Sequence, residues 1–244
     1  MRTYQILYDP EYNGGRGEAY AHQLDAVFPE DELVYRDYSL MANALDMFSF
    51  LSGDDCLIVC GGADTLLRFR SETEGVTFDN EVKFLSPENA GRDGVRSGSV
   101  SDQLRSVSEL LFVKAGGASR ILGKRLTLGA DAAGPVSDFR RVMGYKPLDA
   151  FVGADGSGNN FGRIWLLSVS PCEGGAELEC WHGFGRLRAL KIVPAIMKGR
   201  AEKYCDNRFS VKAKRITVEL DRPADIVVDG ETIGEVGSFT VTAG

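Results

Sequence analysis

The sequence predicts two parts of different fold class, an α/β domain in residues 1–98 and a β-rich domain in residues 99–244. In the first part, strand-like and helix-like segments alternate, which is typical of helices packed on a parallel sheet. In the second part the segments become short and rich in turn residues, and the last three alternate as antiparallel strands do. A chain of 244 residues is long enough for two modest domains.

The clearest strand of the first part is the unbroken apolar run Cys56-Leu57-Ile58-Val59-Cys60, as expected for the centre of a parallel sheet. Apolar residues at helical spacing follow this run and also follow the first strand. A further helix is predicted at residues 39–51. The other predicted strands are residues 4–8, 33–35 and 82–85.

The second part is predicted to be an antiparallel sheet with one helix. The helix covers residues 187–197, and Pro194 is expected to kink or split it. Hairpin signals dominate the end of the chain, because apolar residues alternate with polar ones on either side of turn residues. The predicted strands are residues 110–113, 125–128, 164–169, 177–181, 216–220, 226–228 and 239–241.

Composition and charge argue against several classes of protein and of binding site. A net charge of −7 argues against broad nucleic-acid binding. No apolar run approaches the roughly 20 residues that span a bilayer, and the apolar part of the N-terminus is too short for a signal peptide. Cys56 and Cys60 are expected to be small core residues, because they lie in an apolar run and no CxxC pair occurs. Two histidines argue against a histidine-rich metal site.

One local stretch is strongly basic. Its cations are Arg186, Arg188, Lys191, Lys198 and Arg200, and apolar residues are interspersed among them. Such a pattern is typical of an amphipathic helix with a solvated basic face. The alternative is a surface that meets anionic membrane lipid.

Two glycine-rich loops follow predicted strands, at residues 13–17 and 61–65. Glycine lets the backbone approach a phosphate group, and the N-terminus of a following helix adds positive potential. Neither loop continues into GK[ST], and neither is GxGxxG. Because glycine turns after strands are common, each loop alone is also compatible with an ordinary turn.

The surroundings of these loops resemble the catalytic domain of diacylglycerol kinases, sphingosine kinases and their bacterial lipid-kinase relatives. Residues 54–66, which include Gly61-Gly62-Ala63-Asp64-Thr65, resemble that family's DDxxxxxGGDGTL signature. Asp9-Pro10 with Asn13-Gly14-Gly15 looks like its NPxSG loop, and residues 87–96 are similar to its PxGTGNDFAR segment. Val228-Asp229-Gly230-Glu231 matches its VDGE motif. The four motifs occur in order and cover nearly the whole chain.

The resemblance implies both a fold and an activity. The fold is an α/β nucleotide domain, of the type found in NAD kinases and diacylglycerol kinases, followed by an antiparallel β-sandwich domain. ATP would lie in the cleft, and the last segment is a candidate to return to the first domain. The activity is transfer of the γ-phosphoryl group of ATP, with Mg²⁺, to a lipid hydroxyl such as that of diacylglycerol.

The resemblance also implies site residues. Asp229 and Glu231 would be the catalytic carboxylates, one of them accepting the hydroxyl proton or helping to hold Mg²⁺. Because Asp-Gly is a favoured turn pair, an ordinary hairpin turn stays an alternative for Asp229. No residues are assigned to a metal beyond these. The nucleotide-binding residues would be Asp9, Asn13, Gly14, Gly61, Gly62, Asp64, Thr65 and Asp93.

Several motif positions differ from the family pattern. Ala63 stands where the family has Asp, Asp64 stands where it has Gly, and Arg92 replaces an Asn. The acidic metal-binding segment of bacterial relatives is not recognisable near residues 171–177. Loss of one well-placed electrostatic partner costs about 100- to 1,000-fold in rate. Two alternatives follow: a catalytically impaired pseudokinase that acts by binding, and a kinase of the wider superfamily that acts on a soluble substrate.

The expected partner is a lipid substrate presented at a membrane surface, without nucleic acid and without a transmembrane segment. The expected location is cytoplasmic, with peripheral attachment at the membrane as the alternative. The sequence leaves a homodimer open.

Overall fold

The structure, a computed structural model, describes residues 2–77, 79–86, 100–116, 119–129 and 144–244. It divides into two compact units, Met1–Val107 (unit 1) and Ser108–Gly244 (unit 2). The boundary predicted after residue 98 lies outside the described residues. The predicted fold class is confirmed, because unit 1 holds a largely parallel sheet with helices and unit 2 holds an antiparallel sheet.

The sheet of unit 1 has the strand order β2-β1-β3-β4-β5. The first four strands are parallel, and the last is antiparallel to its neighbour. The central run at residues 56–60 forms a strand that is buried at every position, which confirms the prediction from its unbroken apolar sequence. The strands are β1 (Thr3–Tyr8), β2 (Glu32–Asp37), β3 (Cys56–Cys60), β4 (Glu81–Leu85) and β5 (Arg105–Ser106).

Both sequence-predicted core cysteines, Cys56 and Cys60, are buried in this sheet and free. The helices of unit 1 are mostly short. In the described residues they are α1 (Tyr12–Gly15), a single turn interrupted by non-helical backbone at Asn13 and Gly14, α2 (Gly17–Ala21), α3 (Ala63–Glu72) and α4 (Val100–Gln103), with 3₁₀ turns at His22–Ala26, Tyr38–Leu40 and Ala44–Phe50. A further 3₁₀ turn, Val107–Glu109, runs from the end of unit 1 into unit 2.

The prediction of one helix at residues 39–51 was wrong, because two separate 3₁₀ segments occupy this stretch. Asn43 has extended backbone angles and its side chain accepts a hydrogen bond from the Leu45 N–H. Asp46 completes a capping box by accepting from the Asn43 N–H. Asparagine and aspartate compete for backbone groups in this way, so the chain restarts at Asn43 instead of continuing one helix.

Unit 2 holds a ten-stranded antiparallel sheet in the described residues. Most of it follows the order β13-β12-β11-β8-β14-β15-β6-β7, and β9 joins β14 to β10. The strands are β6 (Leu111–Ala115), β7 (Ser119–Gly123), β8 (Leu126–Gly129), β9 (Leu148–Ala154), β10 (Ser157–Ile164), β11 (Leu166–Cys172), β12 (Gly175–Trp181), β13 (Arg208–Ala213), β14 (Arg215–Val228) and β15 (Glu231–Ala243).

The core of unit 2 lies along one side of these strands, where alternate residues such as Leu126, Val152 and Leu178 are buried in a single cluster. The long hairpin of β14 and β15 confirms the hairpin predicted for the end of the chain. Its turn is Asp229-Gly230, and both residues have positive φ, 51° and 92°. Asp-Gly is favoured there because both positions of this turn type need left-handed backbone.

One helix, α5 (Arg186–Met197), packs on a second cluster that contains Trp165 and Trp181. Pro194 was expected to kink or split this helix. The helix contains Pro194 and continues through it, so the split is wrong, and the kink stays a prediction. Because proline has no backbone N–H, Pro194 removes one hydrogen bond from the helix. Because Ile192 and Val193 are buried on the tryptophans, tertiary packing holds the helix together. A 3₁₀ turn, Glu202–Asn207, follows.

Candidate functional site

The two glycine loops lie side by side at one edge of the unit 1 sheet. Strands β1 and β3 are parallel neighbours, and Tyr8 is in register with Cys60. The loops that leave these two strands therefore start at the same edge. The Asp9 N–H donates to the Cys60 carbonyl at 3.1 Å, and the Gly61 N–H donates to the Leu85 carbonyl at 3.1 Å. This edge, where the carboxyl ends of parallel strands meet, is where open α/β sheets bind ligands.

A side-chain hydrogen bond ties the two loops together. The Thr65 hydroxyl donates to Asp9 Oδ2 at 2.7 Å, and Thr65 is buried while Asp9 is half-buried. Asp9 Oδ1 also accepts from the Glu11 N–H at 3.1 Å. A β-carbon added to Gly61 would lie 2.4 Å from Thr65 Oγ1. Glycine at position 61 therefore lets α3 start close to the strand, and sequence analysis had assigned all three residues to one nucleotide site.

The first loop has left-handed backbone at Asn13, Gly14 and Gly15, with φ of 52°, 70° and 84°. Asparagine and glycine are the residues that adopt this conformation most readily. At Gly17, a β-carbon would come within 1.8 Å of the Asp9 carbonyl oxygen. Sequence analysis placed Gly17 in the loop without a role, and the structure shows that only glycine fits so close to the backbone of Asp9.

Helix α3 begins at this edge, and the backbone N–H groups of its first turn have no side-chain cap. Its N-cap is Gly62, which offers no side chain to the N–H groups of the first turn. The uncapped N–H groups and the helix dipole together favour an anionic ligand. Two carboxylates oppose this, because Asp64 lies exposed in the first turn and Asp9 lies on the neighbouring loop. A phosphate ligand at this edge therefore needs a cation to neutralise the carboxylates.

The other end of α3 is anchored by Glu72. Its Oε2 accepts from the Tyr38 hydroxyl at 2.8 Å and from the Ala44 N–H at 2.7 Å, and its Oε1 accepts from Arg68 Nε at 2.8 Å. Burial by itself raises the pKa of the Glu72 carboxyl, but the hydrogen bonds from Arg68, Ala44 and Tyr38 outweigh it, so the pKa lies below its ordinary value. These bonds fix the direction of α3, a role that sequence analysis missed.

The predicted catalytic Asp229 lies in unit 2, where its carboxylate holds a neighbouring loop. Asp229 Oδ1 accepts from the Lys124 N–H at 2.9 Å and from the Arg125 N–H at 2.8 Å, and Oδ2 accepts from Lys124 N–H at 3.0 Å. The Asp229 N–H donates back to the Arg125 carbonyl at 2.9 Å. Asp229 is thus a latch residue, by which we mean a turn aspartate whose carboxylate binds two consecutive backbone N–H groups of a strand entry.

The same latch occurs a second time in unit 2. Asp155, at the turn between β9 and β10, accepts from the Lys214 N–H at 2.9 Å and from the Arg215 N–H at 3.0 Å. Its own N–H donates to the Arg215 carbonyl at 3.2 Å. The hydrogen bonds from Lys214 and then Arg215 lower the pKa of Asp155. Both latches pair Asp-Gly with Lys-Arg, followed by an aliphatic residue, Thr and an aliphatic residue.

Glu231, the other predicted catalytic carboxylate, is exposed at the start of β15, in register with Val228. It shares the Asp229-Gly230 turn but takes no part in the latch bonds. Asp93, predicted to bind nucleotide, lies outside the described residues. Within the described ranges, no group of three or more His, Cys, Asp or Glu side chains could hold a metal ion.

The described residues thus bring together Asp9, Gly61 and Thr65 in unit 1 through direct contacts, with Gly62 at the adjoining helix start. Asp229 and Glu231 flank one turn in unit 2. The nucleotide and catalytic roles of these residues stay predictions.

The chain is similar over its whole length to solved bacterial structures. A diacylglycerol kinase from Bacillus anthracis strain Sterne is 12% identical, with 100% of this chain and 94% of that chain covered and a TM-score of 0.39. A second structure from that strain, named as a candidate diacylglycerol kinase, is 14% identical, with 98% and 93% covered and a TM-score of 0.41. No family model matches the chain, and no curated protein does.

None of the helices in the described ranges has both the length and the apolar character needed to cross a bilayer.

Proposed function

We propose that this chain is a lipid kinase, which transfers a phosphoryl group from ATP, with Mg²⁺, to a lipid hydroxyl such as that of diacylglycerol. The observation that carries the proposal is the pairing of the two glycine loops at one sheet edge, tied by the hydrogen bond from Thr65 to Asp9. The uncapped N-terminus of α3 opens at the same edge. The motif resemblance in four ordered segments supports the proposal from the sequence.

Each residue then has a chemical role. The backbone of Gly61, Gly62 and the first turn of α3 would hold phosphate oxygens, because those N–H groups are free of a side-chain cap. Mg²⁺ would supply the positive charge that the carboxylates of Asp9 and Asp64 require beside a phosphate. Glu231 is the better candidate for accepting the hydroxyl proton, since the Asp229 carboxylate already binds two backbone N–H groups.

A second candidate function is a binding protein of the same fold that does not catalyse transfer. The two latches favour it, because Asp155 holds a loop in the same way as Asp229 without belonging to any predicted motif. A structural role therefore suffices to explain the aspartate of the VDGE motif. Ala63, where the family has a carboxylate, favours it as well.

Nucleotide binding is tested by thermal unfolding with and without MgATP. A ligand that binds only the folded state adds about 2.7 kcal/mol of stability at a hundredfold excess over its dissociation constant. Gly62→Asp should abolish this gain, because a carboxylate at the N-cap repels phosphate while it also caps the helix. Gly62→Ala controls for added volume. Absence of any stabilisation of the wild type by millimolar MgATP would refute the nucleotide site.

Catalysis is tested by phosphorylation of diacylglycerol in mixed detergent micelles. Glu231→Gln should lower the rate about 100-fold or more if Glu231 is the base. Glu235→Gln is the matched control, because Glu235 is also exposed on β15. MgATP binding without phosphorylation of any lipid would favour the binding protein, and phosphorylation of a soluble acceptor without micelles would favour the wider kinase superfamily.

A further inference from the structure

Helix α5 presents an unusual outward face. Its inward residues Ala189, Ile192 and Val193 are buried in the tryptophan cluster. Leu187 and Lys191, four residues apart, lie on the opposite side, and Lys198, seven residues further, follows the helix end on the same side. Pro194 lies between the two lysines on this side and is half-buried. The stripe that points away from the core therefore consists of one leucine, one proline and two lysines.

Leu187 is the most exposed large apolar residue described in unit 2, at 79%. By comparison, Phe151 and Ile233 are exposed at 38% and 37%. An exposed leucine alone is ordinary in a soluble protein. Here it stands among cations on a helix whose other face is fully used, so burial inside this unit does not explain it.

Every charged residue at positions 186–200 is a cation. The five cations of residues 186–200 are all exposed, and the first acidic residue after them is Glu202. None of the ion pairs found in the described ranges involves them. The whole chain carries a net charge of −7, so this helix is a local basic region of an acidic protein. A cluster of unpaired cations beside an apolar side chain is complementary to an anionic lipid surface.

We infer that the outward face of α5 docks on an anionic bilayer. Leu187 enters the boundary between head groups and acyl chains, and Lys191 and Lys198 meet anionic head groups on either side of Pro194. The helix lies on the membrane and does not span it. This docking goes beyond the proposed kinase activity and needs neither nucleotide nor catalysis. Under that activity, it would hold unit 2 at the surface that contains the lipid substrate.

The test is co-sedimentation with vesicles of phosphatidylcholine mixed with phosphatidylserine, without nucleotide, against vesicles of phosphatidylcholine alone. Each lysine near an anionic surface contributes about fivefold to membrane partitioning, so Lys191→Gln with Lys198→Gln should weaken binding about 25-fold. The matched control is Lys114→Gln with Lys212→Gln, which removes the same charge from exposed lysines on β6 and β13. The control should bind like the wild type.

Leu187→Ser separates the apolar contribution from the charge contribution. It should weaken binding at low and at high salt, whereas the lysine changes should matter less as salt screens the surface. Equal losses in the two double variants, or equal binding of the wild type to both kinds of vesicle, would overturn the assignment. Because the assay contains no ATP, a failed docking result leaves the kinase proposal standing, and an inactive enzyme leaves the docking proposal standing.

Discussion

Gly61→Ala tests the close approach on which the candidate site depends. The new β-carbon would lie 2.4 Å from Thr65 Oγ1 and 2.6 Å from both Thr65 Cβ and Cγ2. Ordinary contacts are 3.4–4 Å, so α3 or the Thr65 side chain must move by about 1 Å. Thr65 is only 4% exposed and has little room to move.

The expected loss of stability has two parts. Overpacking of a buried site costs about 1–3 kcal/mol. Displacing Thr65 also weakens its hydrogen bond to the Asp9 carboxylate, and such bonds to charged groups contribute about 1.5–3 kcal/mol when buried. Because Asp9 is only half-buried, we expect a total of about 2–4 kcal/mol.

Urea unfolding measures the loss, with Gly53→Ala as the control. A β-carbon on Gly53 meets no atom within 4 Å, and its φ is not left-handed, so alanine there should be neutral or stabilise by about 0.4–1 kcal/mol. In the double variant Gly61→Ala with Thr65→Ala, the loss should be smaller than the sum of the single losses. Equal stabilities of Gly61→Ala and Gly53→Ala would refute the close approach.

Three further outcomes are expected. In a urea titration, Asp229→Asn should keep most of the free energy of unfolding and Asp229→Ala should lose more of it, because asparagine can still accept hydrogen bonds from the Lys124 and Arg125 N–H groups and alanine cannot. Loss of lipid phosphorylation in a stable Asp229→Asn protein would instead indicate a catalytic role. Glu72→Gln should destabilise most at neutral pH: the folded pKa lies below the ordinary value of 4.5, so the carboxylate stabilises above that pH and the difference between the two proteins shrinks as pH falls through the folded pKa. Cys205 should be alkylated in the native protein well before Cys60, because burial raises the pKa of the Cys60 thiol, and equal labelling by mass spectrometry would contradict this.

The parallel sheet could be predicted because its signal is local. Strand β3 has the bounds of its apolar run, and β1 and β4 differ from their predicted runs by one residue. The helix predicted at residues 39–51 failed because periodicity does not register how Asn43 captures a backbone N–H. The split expected at Pro194 failed because packing on the tryptophans holds α5 together through the proline.

The candidate site could be predicted in part. Motif order placed Asp9 and Thr65 in one site, although 56 residues separate them. The close packing of Gly17 against Asp9 carries no sequence signal beyond the glycine itself. The latch at Asp155 had a signal that was missed, since the Lys-Arg segments at 124–125 and 214–215 precede strands of the same pattern. Which Asp-Gly turn meets which Lys-Arg segment depends on strand order, which only the structure shows.

The two latches have a consequence for how unit 2 acquires its fold. The bonds from Asp229 join residues 104 and 105 positions apart, and those from Asp155 span 59 and 60. Contacts between residues this distant in sequence require closure of a large loop, which costs conformational entropy before the contact adds stability. Such contacts therefore form late and slow folding. Strand β8 pairs with residues 226–228 of β14, so it lacks this neighbour until that part of the chain has been synthesised. Until then its edge is open to pairing with other chains, and we expect nascent unit 2 to depend on chaperones more than unit 1.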